Sequence, residues 1–303
     1  MYKEFFGLQA NPFNVNPDPR FLVLTPHTEE ALACLTHGIQ GRKGFVLLTG
    51  EVGTGKTTLV NKLLGWLRSQ HFPHAFVFNT RLNVQQFFEY MLTDFGLPID
   101  HYSKSQTIIQ FHHWLLDRYR AGETPVLIVD EAQNLPDKVL EEIRLLTNLE
   151  TSTDKLLQIV LVGQPELEAT LKLPHLRQLR QRVTLRARTH ALSLDETKAY
   201  VAERMRLAGW NGEPIFDPQS LVVIHRYSAG IPRVVNLICE HCLVNAYIDE
   251  KRSITPKMVE AVVRDHDLQD SPGSGASQPS VSTDLFDSSS GIDRDFRKGS
   301  RLG

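Results

Sequence analysis

Between the apolar run "GFVLL" and the helix-like "TTLVNKLLGWL" lies "TGEVGTGKT", in which Gly50, Gly55, Lys56 and Thr57 fit the pattern G-x-x-x-x-G-K-[ST]. Residues of these types at this spacing can do one kind of chemistry well. The glycines let backbone N–H groups close around an anion, the lysine reaches the outer phosphates, and the threonine hydroxyl ligates Mg²⁺. The helix opening at Lys56 adds the positive end of its dipole to the same place. An ordinary glycine turn could imitate so short a pattern, but the strand before it and the helix after it supply the context that a phosphate loop needs. The candidate nucleotide-binding residues are therefore Gly50, Glu51, Val52, Gly53, Thr54, Gly55, Lys56, Thr57 and Thr58.

A second group stands further along, in "VLIVDEAQNL". An apolar strand that ends in two carboxylates is a common partner of a phosphate loop. Asp130 would hold the Mg²⁺ through water, together with Thr57, and Glu131 would orient or deprotonate the attacking water. Strands often end in acidic residues for no such reason, but the pairing with the loop favours the chemical reading. A water-activating carboxylate points to hydrolysis rather than transfer to a second substrate.

The third group is basic. "LRQLRQRVTLR" gathers Arg177, Arg180, Arg182 and Arg186 around the start of an expected last strand, and "SAGIPRVVN" sets Arg233 at the head of a helix. Arginines so placed can stabilise charge that develops on a γ-phosphate, within the same chain or in a neighbour. A solvated face or a nucleic-acid patch is the plainer explanation of the first cluster.

The elements that must position these residues can be read from periodicity. The runs "FVLLT", "HAFVFN", "PVLIVD" and "QIVLVG" alternate with amphipathic stretches such as 83–95 and 105–120, the pattern of buried parallel strands joined by helices. The expectation is a doubly wound α/β domain with its ligand at the carboxyl ends of the strands. After about residue 190 the patterns are helical, opening with a Ser193-x-x-Glu196 capping box. The expected division is thus an amino-terminal segment and core over 1–190, an all-helical lid over 191–267, and a disordered tail over 268–303, where Ser, Gly and Pro dominate.

Composition sets outer limits. The 303 residues carry a net charge of −2, so no overall basic character marks a nucleic-acid binder. No apolar run approaches the roughly 20 residues of a membrane span, and "MYKEFFGLQANPF" lacks the features of a signal peptide, so a cytoplasmic location is expected. Cys34, Cys239 and Cys242 are too few for a disulfide framework. "CEHC" falls in an apolar helical pattern where small core residues explain it more simply than a metal.

Taken in order, "GEVGTGKTTL", "LIVDEAQNL", "VLVGQPEL", "LRQLRQRVTLRARTHALSLDETKAYVAERMRLAG" and "YSAGIPRVVN" resemble the AAA+ ATPases of the ExeA/GspA group, the general secretion pathway protein A family. The resemblance runs over residues 1–267 and includes the opening "FFGLQANPFNVNPDPRFLVLTPHTEEALACL". It implies a P-loop AAA+ core with a small helical lid, ATP and Mg²⁺ as ligands, and a homo-oligomeric ring or filament. It makes Gly50 to Thr58 the Walker A loop, Asp130 and Glu131 the Walker B pair, and Gln164 the first sensor. It makes Arg182, then Arg180, the arginine finger and Arg233 the lid's sensor, and it brings Pro12 and Phe13 towards the adenine. Long members continue into a membrane span and a peptidoglycan-binding region. With no span here, the chain is more similar to the group's short ATPases of pilus biogenesis, of the mannose-sensitive haemagglutinin type. Two functions then compete: an ATPase that drives assembly or remodelling of an envelope complex, with secretion or pilus proteins at the inner membrane as partners, and an ATP-dependent DNA-binding regulator like the related transposition ATPases. A small-molecule kinase has no use for a helical lid carrying a GxPR arginine.

Overall fold

The computed structural model describes residues 1–14, 19–21, 23, 25–78, 81–98 and 103–266. In chain order the elements are α1 Tyr2–Phe6, α2 Pro26–Gln40, β1 Phe45–Thr49, α3 Lys56–Ser69, β2 His74–Val77, α4 Val84–Asp94, α5 Lys104–Arg120, β3 Val126–Val129, α6 Asp137–Leu146, β4 Gln158–Gly163, α7 Pro165–Leu171, α8 Arg177–Arg182 and β5 Leu185–Arg188. Four more helices follow: α9 Leu194–Leu207, α10 Pro218–Ser228, α11 Pro232–Ile248 and α12 Pro256–Asp265. The stretch 268–303, expected to be a disordered tail, lies outside the described residues.

The five strands form one parallel sheet in the order β2-β3-β4-β1-β5. Its apolar runs look unbroken in sequence because successive side chains enter different cores. Phe45, Leu47, Leu127, Val129, Ile159 and Leu161 face the layer built by α4 to α8. Val46, Leu48, Val126, Ile128, Val160 and Val162 face α2 and α3 on the other side. Burial on both faces fixes the register, since a slip of one residue would exchange the two sets. The register also brings the carboxyl ends of β1, β3 and β4 level, so Gly50, Asp130 and Gln164 emerge along one edge.

The helical part has its own core, made of α9 to α12. The Ser193–Glu196 capping box forms at the start of α9, and Cys239 and Cys242 lie fully buried in α11. Tyr2, Phe6, Leu8 and Phe13 belong to this core, so the amino-terminal segment packs with the helices that end the described chain. The sequence had grouped that segment with the α/β core. An apolar residue announces that it will be buried but not against what, and the partners here are more than 180 positions away. The Tyr2 hydroxyl donates to Glu240 at 2.8 Å, and Gln9 N–H donates to the Ala208 carbonyl at 2.8 Å, which pins the segment from two sides. Fully burying a side chain such as Phe6 or Phe13 stabilises by about 1.5–3 kcal/mol, enough to hold a short segment in place. Among the described residues no helix is long and apolar enough to cross a membrane.

Gly230 marks the joint between the two parts. Its φ is +71°, and a Cβ placed on it would stand 2.0 Å from the Leu192 carbonyl oxygen. Its own carbonyl accepts from Leu192 N–H at 2.8 Å, so the link leaving β5 is laced to the turn before α11. Gly230→Ala should therefore cost about 2–4 kcal/mol of stability, the sum of a left-handed backbone penalty and an overlap that backbone must yield to. Urea unfolding checks this, and an unchanged midpoint would mean that the joint can shift at no cost.

Candidate functional site

A cavity of about 400 Å³ opens at the carboxyl edge of the sheet. One wall is the turn after β1: Val52, Gly53, Thr54, Gly55, Lys56, Thr57 and Thr58 all line it. Gly50 and Glu51 sit at the root of the turn and offer their carbonyls to Lys56 Nζ, at 2.7 and 3.0 Å. The turn forms because Gly53 and Gly55 take positive φ, +81° and +97°. Gly55 then caps α3, whose first N–H groups have no carbonyl ahead of them and open on the cavity. Thr54 braces the turn by sharing a 2.7 Å hydrogen bond with Thr189, just past β5.

Lys56 is only 7% exposed, and burial pushes its pKa down against the pull of the Glu131, Asp130, Glu51 and Glu166 carboxylates. Asp130, 6% exposed at the end of β3, has its carboxyl pushed up by burial and by the neighbouring Glu131, with the Glu131 N–H and Lys56 acting the other way. Glu131 lines the cavity with a left-handed backbone, φ 51°. Its carboxylate accepts from Gln133 Nε2 at 2.5 Å and from Gln164 Nε2 at 3.3 Å. Gln133 also accepts from Gln164 N–H at 3.1 Å, so one amide bridges the carboxylate and the head of α7.

The opposite wall comes from the helical part. Arg233 lines the cavity and is fixed by its own backbone, which donates to the Gly53 carbonyl at 3.2 Å. That close approach is why position 53 carries no side chain, since a Cβ there would meet the Arg233 Cβ at 2.9 Å.

Four expected residues stand elsewhere, and neither Asp130 nor Gln164 is among the residues that line the cavity. Pro12 and Phe13 are not in the wall of the cavity: Phe13 is fully buried, edge-on to Phe216. The part of the amino-terminal segment that does reach the cavity lies just beyond, at Asn14, Phe21 and Val23. The resemblance brought these two towards the adenine, but the core of the helical part claims Phe13. Arg182 and Arg180 do not line the cavity either. They are exposed on α8, as Arg177 and Arg186 are nearby, and Arg182 donates to Asn148 at 2.9 Å.

Tyr200, Arg204, Asn236, Thr189 and His190 line the cavity without having been singled out from sequence. A signal was available for one pair. Tyr200 and Arg204 stand one turn apart on the side of α9 that buries Val201 and Met205, and an arginine on an apolar stripe asks for a reason.

Comparison with known proteins agrees with this geometry. Residues 39–171 match the family described as "AAA domain". The chain is 45% identical over 248 residues to General secretion pathway protein A of Aeromonas hydrophila, which covers 82% of this chain but 45% of that protein. It therefore spans about half the length of that relative. Solved structures with the same fold include the ORC2 protein of Aeropyrum pernix, with TM-score 0.64 and 17% identity over 86% of this chain and 74% of that one. Cdc6p of Pyrobaculum aerophilum has TM-score 0.64 and 16% identity over 84% and 70%, and the RuvB branch migration motor of Thermotoga maritima 0.54 and 17% over 80% and 69%. With a parallel five-stranded sheet, a glycine-rich loop at its edge and a helical part closing over it, the chain has the fold of these structures, matches an AAA domain over residues 39–171, and is related over most of its own length to General secretion pathway protein A.

Proposed function

We propose that the chain hydrolyses ATP between neighbouring copies of itself and uses the energy to assemble or remodel an envelope complex of the type II secretion or type IV pilus kind. The observation that carries this is a division of labour. The loop, Glu131 and Arg233 line one cavity, whereas Arg180 and Arg182 are exposed and outside it, where another molecule could use them.

The residues present fit the ligands. The open N–H groups at the head of α3 and the buried Lys56 suit a polyphosphate. Asp130, a buried carboxylate beside a second one, suits an oxygen-seeking dication, and Thr57 offers a hydroxyl on the same side. Bound Mg²⁺ would supply charge neutralisation on the phosphates. The chain's own groups do the rest: Glu131 takes the proton of the attacking water, Gln133 and Gln164 hold that carboxylate in place, and Arg233 ties lid position to the outer phosphates. The helical part thus serves as a lid on the core.

Lys56→Ala should abolish tight ATP binding and leave the fold intact, since the lysine spends its hydrogen bonds on two carbonyls of its own loop rather than on the core. A binding titration with unchanged affinity would remove this loop from the proposal.

The relation to a secretion-pathway protein supports the envelope reading, with the chain acting from the cytoplasmic side and reaching the inner membrane through a partner. Glu131→Gln protein, loaded with ATP, should co-purify from envelope fractions with secretion or pilus components. The exposed row Arg177, Arg180, Arg182 and Arg186 supports the alternative, a DNA-binding regulator. Duplex binding that requires ATP and falls steeply with salt would favour that alternative.

A further inference from the structure

We propose that a second cavity, apart from the candidate nucleotide site, takes an arginine side chain of a partner protein on the carboxylate of Glu142. The proposal stands independently of the nucleotide reading above.

This cavity, of about 450 Å³, lies where the starts of α4, α5 and α6 meet the turn Pro174–Leu176 that precedes α8. No residue lines both it and the cavity at the glycine-rich loop. Its charged residues are Asp137, Glu141 and Glu142 against Lys104 and Lys138, with His175 beside them. Two of the three carboxylates are already engaged by side chains at hand. Both oxygens of Glu141 accept from Arg144, at 2.8 to 2.9 Å, and Asp137 shares a hydrogen bond with His175 at 2.9 Å. Glu142 differs. It is 8% exposed, its Oε1 accepts from Lys104 Nζ at 2.5 Å, and its Oε2 is buried with no hydrogen-bond partner among the described residues.

A buried carboxylate oxygen without a donor carries its whole desolvation penalty, so it calls for a group that completes it. Lys104 does not complete it. Its ammonium is a compact point charge that serves one oxygen here, and its side chain is half exposed, so it can leave at small cost. A guanidinium is planar and presents two parallel N–H groups, which match both oxygens of one carboxylate. Arginine also brings an apolar stem, and Val84 and Leu176 line the same cavity to receive it. Lys104 therefore stands in for the guest and holds half of the site until an arginine on another protein's surface displaces it.

The test titrates three capped tripeptides, alike except for a central arginine, lysine or glutamine, into the full chain and follows binding by ligand-observed NMR. The arginine peptide should bind about tenfold more tightly than the lysine peptide, the worth of one further charge-assisted hydrogen bond, and the glutamine peptide should not bind. Lys104→Ala removes the internal competitor and should strengthen arginine-peptide binding by about twofold to fivefold, the scale of an exposed ion pair. Glu142→Gln should weaken it by tenfold or more, roughly the value of a charged partner. If Glu142→Gln fails to fold, Lys104→Ala decides, because a purely structural Lys104–Glu142 pair predicts no gain on its removal. Equal binding of the arginine and lysine peptides, or a loss or no change in Lys104→Ala protein, would overturn the proposal. A change in the sedimentation of Glu142→Gln protein without peptide would assign the cavity to a second copy of the chain and overturn the partner reading.

Discussion

Glu131→Gln protein should bind ATP as tightly as the wild type and hydrolyse it about 10²- to 10⁴-fold more slowly, the usual cost of losing a positioned general base. The substitution keeps the length and shape of the side chain but removes its capacity to accept a proton. It also disturbs the local pattern, because Gln133 and Gln164 both present N–H donors to this carboxylate, at 2.5 and 3.3 Å. An amide can accept from them with one atom only. Residue 131 has a left-handed backbone, φ 51°, which non-glycine residues adopt at a cost. Gln133, two residues on, and Gln164, 33 positions away, hold its carboxylate in place. Single-turnover hydrolysis alongside a binding titration separates the two effects. Wild-type turnover would move the catalytic role elsewhere, and Gln164 would be the next residue to substitute.

The strands were legible in the sequence because a buried parallel strand has no polar face to interrupt it. "FVLLT" and "QIVLVG" read as apolar runs for the reason that the structure then displays, alternate residues entering two cores. The turn after β1 was legible because its backbone is local: two glycines with positive φ and a helix start fall within ten residues. The far end of the cavity was not legible, because it is built from long-range contacts. Arg204 bonds a carbonyl 192 positions away, and Tyr200 bonds Asn236 36 positions away. No spacing rule connects such residues. Phe13 shows the same limit in reverse: the resemblance brought it towards the base, and the packed helical part sets it against Phe216.

Hydrolysis per chain should rise with protein concentration, and Arg182→Ala should lose roughly 10³- to 10⁵-fold in turnover while keeping ATP affinity, the range for a phosphoryl-transfer site deprived of an arginine supplied by a neighbour. The geometry behind this is that no arginine of α8 lines the cavity of its own chain. Arg182 rests on the exposed Asn148, and Arg180 is exposed a helical half-turn away, so either could be lifted onto a second molecule at small cost. An exposed arginine that donates one hydrogen bond to an exposed amide does little for stability, since solvent screens its charge, so Arg182→Ala should fold normally. Arg180→Ala is the control that assigns the role between the two. The decisive measurement mixes Arg182→Ala with Glu131→Gln protein. Each alone is inactive, one for want of the arginine and the other of the base. In a head-to-tail assembly the intact Glu131 cavity of the first can meet the intact Arg182 of the second, at roughly a quarter of the interfaces under random mixing. Partial recovery of hydrolysis, growing with total concentration, is the expected result. Activity in Arg182→Ala and Arg180→Ala protein equal to wild type, independent of concentration, would place the whole reaction within one chain and leave the α8 arginines as surface charge for another partner.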